Sequence, residues 1–354
     1  MSLALSLFVL LAGEVLGGPP MSLSAEDEVG SLWEVFSNDY VMNCLSWTHH
    51  PDNPILPPSG ETWKSHWTAN PDFQRFQDRL LLYYRGNGRM PGDDGNYHDR
   101  IGVAEVQDIT PGTLELTDLN NGEPVIDIGE CPDDFDCGMV LDPAAVIFNG
   151  KVYLYYSAIG VDGAIENWQV GCAVSEDGVH FEKKGQVKWG RCPEVVKKDG
   201  KIYLFFQIYK NDRYKTHLAV SDDGINFTDV QGDPVFQGEE GSWDKYSVVT
   251  SRIFKEGGWY YMMYGGSSYL ADEPEFFGLA RSKNLIDWER HPGNPIFGVA
   301  ARGKPDGGAI WFPAVYEGED HYIMIYEGSR GNYSWDLHSS ICMAWIPKRP
   351  LSSN

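Results

Sequence analysis

The stretch Asp142–Tyr156, which reads DPAAVIFNGKVYLYY, decides the fold because its pattern occurs five times along the chain. Two runs of β-branched and aromatic residues flank an Asn-Gly pair, which is typical of a tight hairpin turn. The pattern recurs at Asn70–Tyr84, Cys192–Phe206 and Phe312–Tyr326, and with one inserted residue at about Val249–Tyr264. Each copy predicts a β-hairpin, and a strand-rich repeat of about 50–70 residues predicts a radial array of small sheets.

Each hairpin is followed by a third strand that ends in a turn and then an aromatic residue. The turns have Asp-Gly or Lys-Asn, which tolerate positive φ, and they lie at Ser175–Gly178, Ser221–Gly224 and Ser282–Asn284. A fourth strand follows in each unit. Four strands in each of five units predict an all-β fold, a five-bladed β-propeller with four-stranded antiparallel blades.

The last unit lacks a fourth strand, because the chain ends soon after its third strand. Near the N-terminus, Trp47–Leu56 closely resembles Trp288–Phe297, which is the fourth strand of an earlier unit. We therefore expect an N-terminal strand to close the last blade. Such closure also removes a sheet edge that would otherwise be exposed.

Composition limits the domain organisation and the partners. Residues 29–350 are interpreted as a single propeller domain, and residues 1–28, with the apolar run Leu3–Ala12, as a signal peptide or disordered leader. The formal net charge of −23 disfavours nucleic acid and anionic membrane surfaces as partners. No later apolar run is long enough to span a membrane. Composition does not predict an oligomeric state.

The cysteines favour a protein that is secreted or periplasmic. Cys131 and Cys137 lie in one acidic loop, and a local disulfide between them would fit export. No Cys-x-x-Cys pair predicts a zinc site. The chain also has no clear set of calcium ligands, so we expect no metal and no cofactor.

The repeat also predicts where an active site would lie. The first strand of each blade lines the central channel, and the starts of these strands meet at one mouth: Asn70, Asp142, Cys192, about Val249 and Phe312. Asp72 and Glu194 lie two residues further along, so strand alternation predicts that they face the same side. Cleavage of a glycosidic bond uses two carboxyl groups, and a third can raise the pKa of the acid. Asp72, Asp142 and Glu194 are therefore predicted to be catalytic.

The Asp142–Val146 strand, the Ser-x-Asp-Gly-x-x-Phe turns and the Asn-Pro-Ile strands resemble the five-bladed glycoside hydrolases of families 43, 32 and 130. The resemblance covers about residues 44–346 and implies a glycoside-cleaving enzyme. In families 43 and 32, blades one to three carry an Asp base or nucleophile, an Asp that modulates the acid's pKa, and a Glu acid. Asp142 matches the second position, whereas Asn70 and Arg191 replace the first and third.

The resulting hypothesis is a glycoside hydrolase that acts on neutral oligosaccharides or polysaccharides. Glu194 is expected to donate the proton, Asp72 to act as the base, and Asp142 to tune the acid. Asn70 and Arg191 are expected to hold sugar hydroxyls. Tryptophans near the channel mouth are expected to provide platforms for sugar rings: Trp67, Trp168, Trp243 and Trp311.

Two alternatives stay open at the level of sequence. Family 130, which has Asn in blade one and Asp-Pro in blade two, includes phosphorylases; Asp142 would then be the acid and phosphate the nucleophile. Phosphate needs converging cations, for which the candidates are Arg85, Arg100, Arg191 and Lys245. The family signature Glu-Asp-Pro-Arg reads Leu-Asp-Pro-Ala here, at residues 141–144, which favours hydrolysis. Because two family positions are replaced, a carbohydrate-binding propeller without catalysis is the other alternative.

Overall fold

Five antiparallel sheets follow one another along the chain, as the repeat predicts. The structure is a computed structural model that describes residues 30–161, 163–164, 167–269, 272–331 and 338–348. The expected leader, residues 1–28, lies outside the described residues. Within them, the prediction of a five-bladed all-β propeller is confirmed.

Blades 1 and 2 each have four continuous strands in simple up-and-down order. The strands of blade 1 are Trp67–Phe76, Arg79–Gly88, His98–Thr110 and Thr113–Asp118. The strands of blade 2 are Met139–Phe148, Lys151–Ile159, Gln169–Ser175 and Phe181–Trp189.

Blades 3 and 4 have three long strands and a fourth strand that is split into two short pieces, both paired with the third strand. In blade 3 the elements are Arg191–Lys198, Lys201–Lys210, Arg213–Ser221, Thr228–Asp229 and Phe236–Gln237. In blade 4 they are Ser247–Glu256, Trp259–Ser267, Phe276–Ser282, Glu289–Arg290 and Phe297–Gly298.

Blade 5 contains the last three strands of the chain and an outer strand from its beginning. The strands Ala309–Glu317, His321–Ser329 and Ser339–Pro347 are joined by Thr48–His49, which pairs with the last of them. The predicted closure by an N-terminal strand is thus confirmed.

The similarity between the segments Trp47–Leu56 and Trp288–Phe297 extends to their hydrogen bonds. Asn53 receives a hydrogen bond from Met343 N at 2.8 Å and donates one to Met343 O at 3.1 Å. Asn294 makes the same pair of bonds to Leu279, at 2.8 and 2.9 Å. In blades 4 and 5, one asparagine side chain therefore makes the two hydrogen bonds that a backbone partner in the neighbouring strand would otherwise make.

The helical segments are short, and two of them precede the closing strand. They are Leu32–Val35, Tyr40–Leu45 and a 3₁₀ turn at Asn120–Gly122. Leu32 and Val35 are buried against residues of blades 4 and 5. Within the described residues, no helix has the length and apolar character that a membrane span requires.

Adjacent blades pack through buried apolar faces and through a repeated tyrosine contact. Leu81 and Val103 of blade 1 belong to one buried cluster with Val152 and Leu154 of blade 2, and each such side chain contributes about 1.5–3 kcal/mol. Tyrosine hydroxyls at one repeat position also donate to the carbonyl of the next blade's turn glycine, as Tyr83 to Gly178 and Tyr155 to Gly224. Both glycines have φ near +80°, which a side chain would disfavour.

The closing contact of blade 5 gives a test of the ring. Asn53→Ala is expected to lower the free energy of unfolding by about 1–3 kcal/mol, because the Met343 N–H loses its partner and the Met343 C=O, which also accepts from His50 N, loses one donor. Urea unfolding measures this loss, and Asn294→Ala is the matched variant inside blade 4. The exposed neighbour Asp52 provides the control, since Asp52→Ala should change stability by no more than about 0.5 kcal/mol. Equal stability of Asn53→Ala and Asp52→Ala would contradict closure through Asn53.

Candidate active site

A β-bulge occurs at the same place in the first strand of every blade. One residue there has positive φ, between 48° and 54°, and the pairing with the second strand shifts around it. The five residues are Asn70, Asp142, Cys192, Thr250 and Phe312. Non-glycine residues with positive φ cost about 1–3 kcal/mol each and tend to cluster at functional sites. The fourth position is Thr250 rather than Val249, and from Thr250 to Tyr264 the fourth copy needs no inserted residue.

A cavity of about 670 Å³ opens where the first strands of blades 1, 2 and 5 reach the axis. Asn70, Asp142 and Phe312 line it. Of the other predicted site residues, Trp67, Arg191 and Trp311 also line it, as do Trp168 and the loop residues Asp272 and Glu273. The bulges thus turn three of their five residues toward one cavity.

Asp72 and Glu194 do not line this cavity, contrary to the expectation from strand alternation. The bulge interrupts the alternation between Asn70 and Asp72 and between Cys192 and Glu194. Asp72 accepts a hydrogen bond from Ala145 N at 2.8 Å, and Glu194 accepts one from Ile253 N at the same distance. Their placement does not support direct contact with a substrate.

Both buried carboxyls instead flank one guanidinium. Arg252 Nη1 donates to Glu194 at 3.1 Å, and Arg252 Nε lies 3.6 Å from Asp72. Burial raises the pKa of Glu194 to about 8 and also raises that of Asp72, while Arg252 opposes both shifts. These shifts follow from desolvation of paired acids rather than from a role in the cavity.

Asp142 lines the cavity, and one of its two carboxylate oxygens, Oδ2, is bound within the protein. Ser157 Oγ donates to Asp142 Oδ2 at 2.6 Å, and Cys192 Sγ lies 3.4 Å from the same oxygen. Among the described residues, these are the hydrogen bonds to the carboxylate, and both go to Oδ2. Oδ1 is therefore available to a substrate or a water molecule.

Glu327 is another carboxyl of the cavity, and it was not among the residues predicted from the sequence. It lies in the second strand of blade 5, where Asn70 Nδ2 donates to Oε2 at 2.7 Å and Ser339 Oγ donates to Oε1 at 2.5 Å. Burial raises the pKa of Glu327 to about 7, against the opposing charge of Arg85, and the charge of Asp142 adds to the rise. A carboxyl that keeps its proton near neutral pH can act as a general acid.

A signal for Glu327 was present in the repeat. The next residue after each copy of the quoted pattern is Arg85, Ser157, Gln207, Gly265 or Glu327. Each of these residues pairs with the one just before the bulge. Extending the alignment by one position would therefore have placed Glu327, and also Ser157, beside the channel mouth.

Arg85 of blade 1 lies between Asp99 and Asn70, the residue that binds Glu327. It forms a two-pronged ion pair with Asp99, at 2.7 and 2.9 Å, and its Nη1 lies 3.5 Å from Asn70 Oδ1. Asp99 also accepts from Asn87 at 2.9 Å and from Trp67 Nε1 at 3.2 Å. Asn70 is thus oriented by Arg85 on one side while it binds Glu327 on the other.

Arg191, the residue just before the bulge of blade 3, also lines the cavity. It donates to Asp272 at 2.7 and 3.2 Å and to Tyr214 OH at 2.7 Å, and its guanidinium lies 4.6 Å from the Trp168 ring. Trp311 Nε1 donates to the backbone carbonyl of Asp272 at 2.8 Å. Arg191 and Trp311 therefore both bind Asp272, which lies between the second and third strands of blade 4 and lines the cavity.

Aromatic rings form part of the lining of the cavity. His66 stacks on Trp67 at 4.4 Å and lies 4.6 Å from the half-exposed Tyr97. Trp168 and Trp311 also line the cavity. Trp243 was predicted as a fourth platform, but it stacks on Tyr264 inside blade 4 and does not line the cavity.

Metal ligands are not grouped in the described part of the chain, where no cluster of three or more His, Cys, Asp or Glu side chains has a geometry suited to an ion. The cavity does, however, bring together the carboxyls of Asp142 and Glu327, two guanidinium groups that are paired with aspartates, and aromatic rings. Such a set is suited to proton transfer on a polar ligand with apolar faces, as a sugar has.

Two characterised relatives share part of the sequence. The chain is 34% identical over 182 residues to a 1,2-beta-oligomannan phosphorylase of Thermoanaerobacter sp. (strain X514), which covers 48% of this chain and 56% of the relative. It is 29% identical over 156 residues to a xylosidase/arabinosidase of Bacteroides ovatus, which covers 35% of this chain and 43% of the relative. The chain spans about half the length of the curated relatives it matches. No protein-family model matches it.

Solved structures share the whole architecture. A family 117 glycoside hydrolase of Zobellia galactanivorans superposes with a TM-score of 0.60 at 15% identity, over 87% of this chain and 92% of that protein. At this identity the match establishes the fold alone. In fold, the chain is thus similar to the five-bladed propeller glycoside hydrolases, and the likeness predicted from its sequence is confirmed at that level.

Proposed function

We propose that the protein is a glycoside hydrolase in which Asp142 and Glu327 are the catalytic pair. The observation that carries the proposal is the presence of both carboxyls in one cavity, with Glu327 held by burial at a pKa of about 7. Glycosidic cleavage needs one carboxyl that gives a proton and one that acts at the sugar carbon. The sequence hypothesis assigned these roles to Glu194 and Asp72, which the cavity does not contain.

Glu327 is the proton donor in this proposal. As the bond between the anomeric carbon and the leaving oxygen breaks, the proton of Glu327 moves to that oxygen. Asp142 Oδ1 acts at the anomeric carbon as that bond breaks. Either it attacks the carbon and forms a glycosyl ester, which water then hydrolyses while the Glu327 carboxylate takes the water's proton, or it takes the proton of a water that attacks the carbon directly. Asn70 keeps the donor in place, because its amide binds Glu327 and is itself bound by Arg85.

The charge of the cavity supports a neutral sugar as the substrate. Five acidic side chains and two guanidinium groups line it: Asp99, Asp142, Asp272, Glu273, Glu327, Arg85 and Arg191. Since the acids outnumber the cations, an anionic ligand would be repelled. The aromatic rings in the lining offer apolar surface for the faces of a neutral sugar ring.

Phosphorolysis is the second candidate, favoured by the similarity to the oligomannan phosphorylase. Of the four cations proposed for phosphate, Arg85 and Arg191 line the cavity. Each is already paired with an aspartate, whereas Arg100 pairs with Asp93 and Asp127, and Lys245 pairs with Glu240, outside the cavity. Phosphate would have to displace Asp99 or Asp272, so hydrolysis has the stronger support.

We also propose that the protein acts outside the cytoplasm, in a secreted or periplasmic form. The disulfide between Cys131 and Cys137 supports this location, because such bonds persist in oxidising compartments.

Substitution of the proton donor tests the assignment. Glu327→Gln is expected to lower kcat/KM by about 10²–10⁴-fold on substrates with a poor leaving group, because the amide has no acidic proton. The loss should be much smaller on dinitrophenyl glycosides, whose leaving group needs no proton. Asp244→Asn, which alters a buried carboxyl of blade 4 outside the cavity, is the control. An equal loss on both kinds of substrate would refute the role of Glu327 as acid.

The pH dependence follows from the raised pKa of Glu327. A general acid must be protonated, so kcat/KM should fall about tenfold per pH unit above roughly pH 7. The variant Glu327→Gln should lose this alkaline limb while residual activity remains measurable on dinitrophenyl glycosides. A wild-type profile that stays flat from pH 7 to 9 would contradict the assignment.

Phosphate dependence separates the two candidate reactions. A panel of neutral oligosaccharides and aryl glycosides should be cleaved at the same rate with and without phosphate, and the products should be free sugars. Formation of a sugar 1-phosphate, with turnover proportional to phosphate, would establish phosphorolysis instead. Tight glycan binding without any cleavage would identify a carbohydrate-binding propeller.

A further inference from the structure

One arginine of blade 4 contacts all four other blades. Arg252 lies two residues after the bulge at Thr250 and is 3% exposed. Its guanidinium donates to the carbonyl oxygens of Pro71 in blade 1 (3.1 and 3.0 Å) and Pro143 in blade 2 (2.9 Å). It also donates to Glu194 in blade 3 at 3.1 Å and lies 4.7 Å from the ring of Phe312 in blade 5.

The two carbonyls bound by Arg252 belong to the residues that directly follow Asn70 and Asp142. Both Asn70 and Asp142 have positive φ, a conformation that persists only where the surroundings impose it. Pro71 and Pro143 have no N–H group, so they cannot donate to the neighbouring strand. The contact from Arg252 therefore supplies a fixed anchor just where the strand pairing is interrupted.

We propose that Arg252 is a positioning residue of the active site, which locks the bulges of blades 1 and 2 so that Asn70 and Asp142 face Glu327. The proposal rests on the function proposed above. Asp72 and Glu194, which the sequence hypothesis treated as catalytic, act in this arrangement by holding the guanidinium from two sides.

Arginine is suited to this place in a way that lysine is not. Its planar group has five N–H donors in a fixed geometry, and here Nε, Nη1 and Nη2 all donate. A lysine ammonium keeps the positive charge between the two acids, but it cannot reach both proline carbonyls and Glu194 together. Arg252→Lys therefore removes the anchor while it preserves the charge.

Arg290 offers a matched control within the same blade. Its guanidinium also binds two carboxylates, Asp244 at 3.2 Å and Glu239 at 2.8 Å, and one backbone carbonyl, Gln237 O at 2.5 Å. It does not line the active-site cavity. Arg290→Lys therefore makes the same chemical change at a place that does not touch the bulges.

The experiment compares the kinetics of both variants. Arg252→Lys should lower kcat by about 10²-fold with little change in KM, as expected when reacting groups are misplaced by about 1 Å. Arg290→Lys should leave kcat within about twofold of wild type even where the two melting temperatures fall alike. Equal kcat values for the two variants would overturn the proposal.

Hydrogen–deuterium exchange gives a measurement that does not need activity. Arg252→Lys should speed exchange in residues 67–76 and 139–148 relative to Arg290→Lys, and unchanged exchange there would overturn the positioning role. If the wild type cleaves no glycoside, the proposed function fails, but this exchange comparison still decides the role of Arg252. If Arg252→Lys does not fold, Glu194→Ala is the alternative variant, because it removes one partner of the guanidinium. Glu194→Ala should lower kcat and speed exchange in the same strands, by less than Arg252→Lys. Wild-type values of both kcat and exchange in Glu194→Ala would also overturn the proposal.

Discussion

The convergence of five first strands on one axis is the constraint on which the rest of the structure depends. Strands that approach an axis bring backbone carbonyls and side chains into a buried space, where their polar groups need partners. Arg252 meets this need at the centre, since one guanidinium binds carbonyls of blades 1 and 2 and a carboxyl of blade 3. The cost of burying its charge is offset by Asp72 and Glu194, which lie beside it.

The same convergence explains the chemistry of the cavity. Each first strand bulges where it approaches the axis, and the bulge turns one residue out of the alternating pattern. Asn70 and Asp142 are turned toward the cavity in this way, while Glu327 reaches it from the neighbouring strand of blade 5. Burial raises the pKa of Glu327 to about 7, so this carboxyl keeps a proton near neutral pH.

The repeat made most of the fold predictable, and one slip of register hid part of the site. Taking Val249 rather than Thr250 as the start of the fourth copy shifted the alignment of blade 4 by one residue. Arg252 was therefore not aligned with Asp72 and Glu194. Ending the pattern at Tyr326 stopped one residue short of Glu327. The bulge occurs at the same position in every blade, so the aligned copies show no gap that would reveal it. Simple strand alternation therefore predicted, wrongly, that Asp72 and Glu194 face the cavity.

Sequence alone determined the blade count, the order of strands and the closure of blade 5, because hairpin turns, strand periodicity and the two similar Asn-Pro-Ile segments are local patterns. It also placed Asn70, Asp142, Arg191, Trp67 and Trp311 near the channel mouth. Only the tertiary structure decided which carboxyls share a cavity and which are paired around Arg252. That decision depends on the direction of side chains at five bulges and on contacts between residues as distant in the chain as Asn70 and Glu327, which no local pattern encodes.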